Sequence, residues 1–162
     1  MWQEVAECMK RRAKGGKIIN FASQAGRRGE PLVSVYCASK AALDMVVRVA
    51  AAEWGPDGVR VNAVAPGVTR TPMLGPAPTD SGWLAGVRDR TPLDRLGRAE
   101  DVAEAAVALH ALAWVTGQVL DCDGGLGLAS PIDSYGAMLA ARTARGTSTG
   151  GGSGRVQHNG GT

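Results

Sequence analysis

The stretch Ser23–Lys40, SQAGRRGEPLVSVYCASK, places a hydroxyl thirteen residues before a phenol and that phenol four residues before an amine. Helical positions i and i+4 share a face. From Val33 the chain reads VSVYCASKAALDMVVRVAAAEW, with apolar residues three and four apart, so the spacing predicts a helix over about 34–54, closed by Gly55-Pro56, with Tyr36 and Lys40 side by side. An ammonium beside a phenol favours the phenolate and lowers its pKa from about 10, which makes Tyr36 a proton-transfer group near neutral pH. Just upstream, KIINFAS is a short apolar run between Gly15-Gly16 and Gly26 and predicts a buried strand, Lys17–Ser23.

A hydroxyl at the carboxyl end of a strand, next to a helical Tyr/Lys pair, donates to a substrate oxygen while the phenol handles its proton. That combination suits hydride movement at a carbinol or carbonyl carbon. Taken alone, Tyr four residues before Lys is surface decoration far more often than chemistry. Its meaning depends on what surrounds it.

Toward the N-terminus, Val5, Ala6 and Met9 with Trp2 mark one face of a helix expected to end around Lys14 at Gly15-Gly16. Helix, strand, long helix and strand in turn is the rhythm of an α/β sheet with crossover helices. Residues 24–31 then form a loop at the carboxyl end of the first strand, where ligands of open α/β sheets bind. Arg27 and Arg28 lie in it, as solvated charge or as partners for an anion. Cys37, beside Tyr36, reads as a packed thiol.

Toward the C-terminus, Val59–Ala65 predicts a second strand that breaks at Pro66-Gly67, a turn whose backbone is able to approach a ligand closely. Residues 72–91, with three prolines and three glycines, read as a mobile segment over the site, with Trp83 and Leu84 either lining a pocket or packing the segment itself. From Glu100 a helix follows with acids in its first turn, and His110 near its end reads as an ordinary packed or solvated side chain. Asp121-Cys122-Asp123-Gly124 has the opening of a calcium loop, but position twelve is Ile132 and the cluster follows a strand, so no metal is expected.

Five stretches now stand in order: NFAS with Ser23, YCASK with Tyr36 and Lys40, RVNAVAPGVTRTPM with Pro66, Gly67 and Thr71, PLDRLGRAEDVAEA, and TGQVLDCDGG. In these the sequence resembles the second half of the short-chain dehydrogenase/reductase family, and the loop wording of residues 18–42 resembles its sorbitol or polyol branch. The resemblance implies an α/β fold that is the C-terminal part of a Rossmann-type doubly wound parallel sheet, with the N-terminal βαβ half missing. It implies Ser23, Tyr36 and Lys40 as catalytic residues. It also implies cofactor contacts at Tyr36, Lys40, Pro66, Gly67, Val68 and Thr71, with backbone at Val68 and the Thr71 hydroxyl reaching the nicotinamide carboxamide. The cofactor is NAD or NADP, the substrate a small-molecule alcohol or carbonyl compound. Homo-oligomer formation through the helices near 1–14 and 34–54 is implied as well.

The resemblance covers residues 1–128, read as a partial Rossmann-type catalytic domain. Residues 129–162, rich in Gly, Ser and Thr, read as a disordered tail. The formal charge of +3 with scattered basic residues does not imply nucleic acid, and no membrane segment is evident. Cys8, Cys37 and Cys122, without metal spacing, suit a reducing cytoplasm. A glycine-rich strand-to-helix turn for the pyrophosphate is absent, since Gly124, Gly125 and Gly127 follow the last strand and open no convincing helix. The strand at 17–23 is then expected to have an open edge. Two classes of function follow. One is an NAD(P)-dependent oxidoreductase acting on a polyol or sugar, or a 3-oxoacyl reductase-like enzyme, impaired in this chain. The other is a noncatalytic fragment that serves only as an oligomerisation module.

Overall fold

Helices separate the strands among the described residues, two of them before the third strand: α1 (Trp2–Arg11), β1 (Gly16–Phe21), α2 (Ser34–Trp54), β2 (Val59–Pro66), α3 (Gly82–Asp89), α4 (Ala99–Ala111) and β3 (Val119–Cys122). The computed structural model describes residues 2–11, 15–74 and 82–128, all within one unit, Met1–Ala129. The expected tail and the expected helix end at Lys14 lie outside the described residues. Among those residues the three strands form one parallel sheet in the order β1-β2-β3. Gly16 pairs with Val59 through to Phe21 with Val64, and Ala63 pairs with Val119 through to Pro66 with Cys122.

The reason β2 is central is written in VRVNAVAP, a run too apolar to alternate. Val59, Val61, Ala63 and Ala65 face α2 and meet Val47, Ala50, Ala51 and Trp54, with Ala6 of α1 alongside. Val64 points the other way, against Val102 and Leu109 of α4. The buried alanines of α2 let its backbone come close to the sheet, and each buried valine contributes ~1.5–3 kcal/mol by leaving water.

Two polar residues of β2 share the α4 face. Asn62 is almost fully buried, and its amide donates to the Val115 carbonyl at 2.9 Å and accepts from Gln118 N–H at 3.0 Å. Arg60 donates to the His110 and Val115 carbonyls at 2.9 Å each, placing a cation at the carbonyl end of α4, where the helix dipole favours it. These bonds carry the chain from α4 into β3.

The first strand differs from expectation in its bounds and burial. It runs Gly16–Phe21 rather than Lys17–Ser23, and it is not a buried strand, with Phe21 56% exposed; its open edge among the described residues is the expected one. The strand ladder does extend one residue further through Ala22 N–H to the Val64 carbonyl at 2.8 Å. Helix α2 has the expected bounds.

Candidate active site

Parallel strands deliver their carboxyl ends to one rim of the sheet, and every residue expected at the site leaves from that rim. Ser23 follows β1 directly. Its extended backbone and its Oγ, which accepts from Ala25 N–H at 3.1 Å, make it the cap of a single 3-10 turn over Gln24–Gly26. Capping is why the strand stops short: a hydroxyl that satisfies the first free amide of a turn competes with continued strand pairing. Because Oγ only accepts here, its proton stays available to a substrate oxygen.

That turn packs on α2. A Cβ at Gly26 would lie 2.7 Å from the Lys40 carbonyl carbon and 2.9 Å from Ala41 N, so only glycine permits the approach. Lys40 reaches back across the contact and donates from Nζ to the Phe21 carbonyl at 3.1 Å. Its ammonium also lies over the Tyr36 ring, 5.7 Å from the centroid. Ser23, Tyr36 and Lys40 are therefore gathered at the exit of β1, with Tyr36 38% exposed.

Beside them, β2 ends in Pro66. Gly67 N–H donates to the Cys122 carbonyl at 3.1 Å, and a Cβ on Gly67 would sit 2.7 Å from the Asp123 Cβ. Val68 and Arg70 then pair with Gly97: Gly97 N–H donates to the Val68 carbonyl at 3.0 Å and Arg70 N–H to the Gly97 carbonyl at 2.9 Å. Thr69 Oγ1 donates to the Gly67 carbonyl at 3.1 Å, which tightens the same turn. Thr71 is exposed and begins a short 3-10 turn, Pro72–Leu74. Of the segment expected over the site, Gly82–Asp89 is helical, Trp83 is exposed, and residues 75–81 lie outside the described residues.

The acids near this rim hold backbone rather than face outward. Asp123 accepts from Gly125 N–H at 2.8 Å and Gly127 N–H at 2.6 Å. Those amides are thus occupied by a carboxylate of the chain itself, and the glycine cluster after β3 offers no cradle to a second anion. Among the described residues no group of His, Cys, Asp and Glu has the makings of a metal site. Asp101 pairs bidentately with Arg95, at 2.6 and 3.0 Å, and accepts from Arg98. The Arg95 guanidinium, aided by the Arg98 amide and guanidinium, holds the Asp101 carboxyl far below the usual carboxylate range. Burial pushes the Cys122 thiol up.

Arg27 is exposed and Arg28 partly so, as loop charges are, but both have partners across the chain. Arg27 donates to the Val119 carbonyl and pairs with Asp121, and Arg28 donates to the Leu126 carbonyl, so Arg27 ties the Gln24–Gly26 turn to β3 and Arg28 ties it to the turn that follows β3. Cys37 makes a long contact to the Glu30 carbonyl, as a packed thiol does. Sequence reasoning missed Gly26, Gly97, Asp101 and Asp123. The acid at 101, three residues after Arg98, was visible as a helix-start signal, but nothing local points from Gly97 to Val68.

The donor set at this rim fits the nicotinamide and adjoining ribose end of a dinucleotide: an ammonium, a phenol, turn backbone and an exposed threonine hydroxyl. No strand-to-helix glycine turn for a pyrophosphate occurs among the described residues. A family model described as enoyl-(acyl carrier protein) reductase matches residues 1–127. A short-chain dehydrogenase/reductase of Armillaria gallica is 37% identical over 132 residues, 77% of this chain and 51% of that protein. Galactitol 2-dehydrogenase of Agrobacterium fabrum is 57% identical over 68 residues, 42% of this chain and 27% of the relative. The crystal structure of a gluconate 5-dehydrogenase from Burkholderia cenocepacia in complex with NADP and tartrate is similar at a TM-score of 0.74 and 34% identity, over 79% of this chain and 51% of that one. The chain spans about half or less of the length of these relatives.

Proposed function

The chain belongs to the short-chain dehydrogenase/reductase family, and from that premise we propose that it supplies the catalytic half of an NAD- or NADP-dependent oxidoreductase acting on a hydroxyl or carbonyl carbon of a polyol or sugar. When bound, the nicotinamide accepts or returns the hydride. The residues of this chain manage the proton and the geometry. Tyr36 removes the substrate hydroxyl proton in oxidation and returns it in reduction. Lys40, over its ring, stabilises negative charge there and holds the ribose. Ser23 donates to the substrate oxygen and orients it. Past the Pro66-Gly67 turn, backbone at Val68 and the Thr71 hydroxyl would hold the carboxamide. The observation that carries this reading is the double reach of Lys40, to the Tyr36 ring and to the Phe21 carbonyl two residues before Ser23.

Self-association belongs to the same proposal. Met45, Val46 and Val49 on the outer side of α2 are each about half exposed, and with Gln3 of α1 they line a groove of about 700 Å³. That is apolar surface of the kind a second copy covers. Cys8, Cys37 and Cys122 are all free thiols, which supports a cytoplasmic location. No helix among the described residues is long and apolar enough to cross a membrane.

The test is NADH and NADPH titration of the purified chain, followed by turnover of galactitol with NAD and NADP, in wild type and Tyr36→Phe. Saturable binding and turnover that falls ~10²–10⁴-fold in the variant support the assignment. Undiminished turnover in Tyr36→Phe overturns it. A second reading is favoured by the carboxylate-filled amides of Gly125 and Gly127: the chain acts as an assembly module. Stable oligomers by sedimentation, with no dinucleotide bound at millimolar concentration, mark that outcome.

A further inference from the structure

We propose that Asp101 is a positioning residue that, through Arg95, Arg98 and Gly97, fixes the backbone of Val68–Arg70 and so aims the turn leading to Thr71. The proposal rests on the oxidoreductase reading for what that turn does, and on geometry alone for how it is held.

Asp101 lies in the first turn of α4 and receives four N–H groups. Arg95 supplies two, at 2.6 and 3.0 Å, and Arg98 supplies its backbone N–H at 2.8 Å and its guanidinium at 3.2 Å. The same Arg95 nitrogen also donates to the Leu96 carbonyl at 3.1 Å. Residues 95, 96 and 98 are thereby tied to one carboxylate, and Gly97 between them has no freedom to shift on its own. Gly97 in turn exchanges two backbone hydrogen bonds with Val68 and Arg70, the parallel bridge centred on Thr69. Behind the carboxylate, α4 is anchored by Val102 and Leu109 against Val64 of β2. The path from the sheet core to the turn is continuous: Val64, Val102, Asp101, Arg95, Gly97, Val68.

The charge sits where it is needed for such a role. Bonds between ions are shorter and about twice as strong as neutral ones, and a bidentate arginine fixes direction as well as distance. The two bonds that touch Val68 and Arg70 are neutral and sit between short segments without regular structure on either side, so they open easily unless Gly97 is held. A plain helix cap would satisfy the Arg98 amide and need nothing from Arg95. The bidentate pair and its link to the Leu96 carbonyl account for more than a cap.

Amide hydrogen exchange of the full chain by NMR, in wild type, Asp101→Ala and the milder Arg95→Gln, tests the connection. The amides of Arg70 and Gly97 are expected to exchange about tenfold faster or more in both variants, while Ala22 and Gly117, bonded to Val64 and Val61 in the sheet, keep their rates. A merely stabilising acid would instead speed exchange everywhere in proportion to lost stability. If Asp101→Ala does not fold, Arg95→Gln alone carries the comparison. Wild-type rates at Arg70 and Gly97 in a folded variant overturn the proposal, and so does NADH affinity equal to wild type when those amides have loosened. If wild type binds no dinucleotide, the oxidoreductase reading fails by itself, and the exchange pattern still decides whether Asp101 holds the turn.

Discussion

The turn after β1 and the turn after β2 leave the same rim of adjacent parallel strands, yet they are secured differently. Ser23–Gly26 is seated by shape: Gly26 lies against the backbone of Lys40 and Ala41, and around it Phe21 and Tyr36 remain 56% and 38% exposed. Pro66–Arg70 is seated by hydrogen bonds, to Cys122 on one side and Gly97 on the other, with the carboxylates of Asp123 and Asp101 holding the flanking chain. Tyr36 thus stays accessible, because the side chains that tie this turn to β3 and Leu126 are those of Arg27 and Arg28. The turn that offers mostly backbone has its polar side chains occupied in holding that backbone. Chemistry and alignment are divided between two strand ends.

The largest effect should come from removing the phenol proposed to move the proton. Tyr36→Phe keeps packing and deletes the hydroxyl, so turnover should fall ~10²–10⁴-fold with little change in melting temperature, as steady-state rates and thermal unfolding will report. Undiminished rates would erase the division of labour. Next comes Gly26→Ala. Its Cβ has no room against the Lys40 and Ala41 backbone, so it should destabilise by ~1–3 kcal/mol and also lower turnover, because the turn and α2 must part. Gly67→Ala meets Asp123 at a similarly short 2.7 Å and should lose similar stability. Thermal melts of the pair measure how nearly equal shape and bonding are as constraints.

A smaller effect is confined to acid. In the folded chain the Asp101 carboxyl is held far down, first by Arg95, so its stabilisation is fully present above the unfolded carboxyl's value near 4 and is lost as pH falls below that. Asp101→Asn should therefore flatten the fall in melting temperature on going from about pH 5 to about pH 3. An unchanged acid limb would place the pairing in solvent, without consequence. The smallest effect is expected at Asp44, whose Oδ1 is buried without a partner. Burial raises its pKa despite the pull of Arg27, Arg48 and Lys40, so its ionised form weighs against folding above the folded value and ceases to do so as pH falls. Asp44→Asn should slightly raise the melting temperature at pH 7, and a lowered one would mean that the neighbouring arginines outweigh burial.

Much of the site was legible in the chain. Helix α2 starts at Ser34 and ends at Trp54 as its periodicity and Gly55-Pro56 require, so Tyr36 and Lys40 had to share a face. Ser23 was read as the last residue of a strand, and it is instead the cap of a turn; serine before a short run ending in glycine carries both meanings, and strand pairing with β2 stops at Ala22. Arg27 and Arg28 looked like loop charges because their acceptors, Val119, Asp121 and Leu126, lie more than ninety positions away.

What the sequence determined by itself are the properties that repeat within a few residues: where the longest helix and the strands fall to within a residue or two, and the face on which phenol and amine meet. Periodicity and turn chemistry act over one or two turns of chain, so they can be read without partners. Only the tertiary structure decided that Gly26 must be glycine, that Arg27 and Arg28 reach β3 and Leu126, and that Gly97 is bound to Val68. Each of those depends on distances between segments far apart in the chain, and such distances exist only after the sheet has brought its carboxyl ends to one rim.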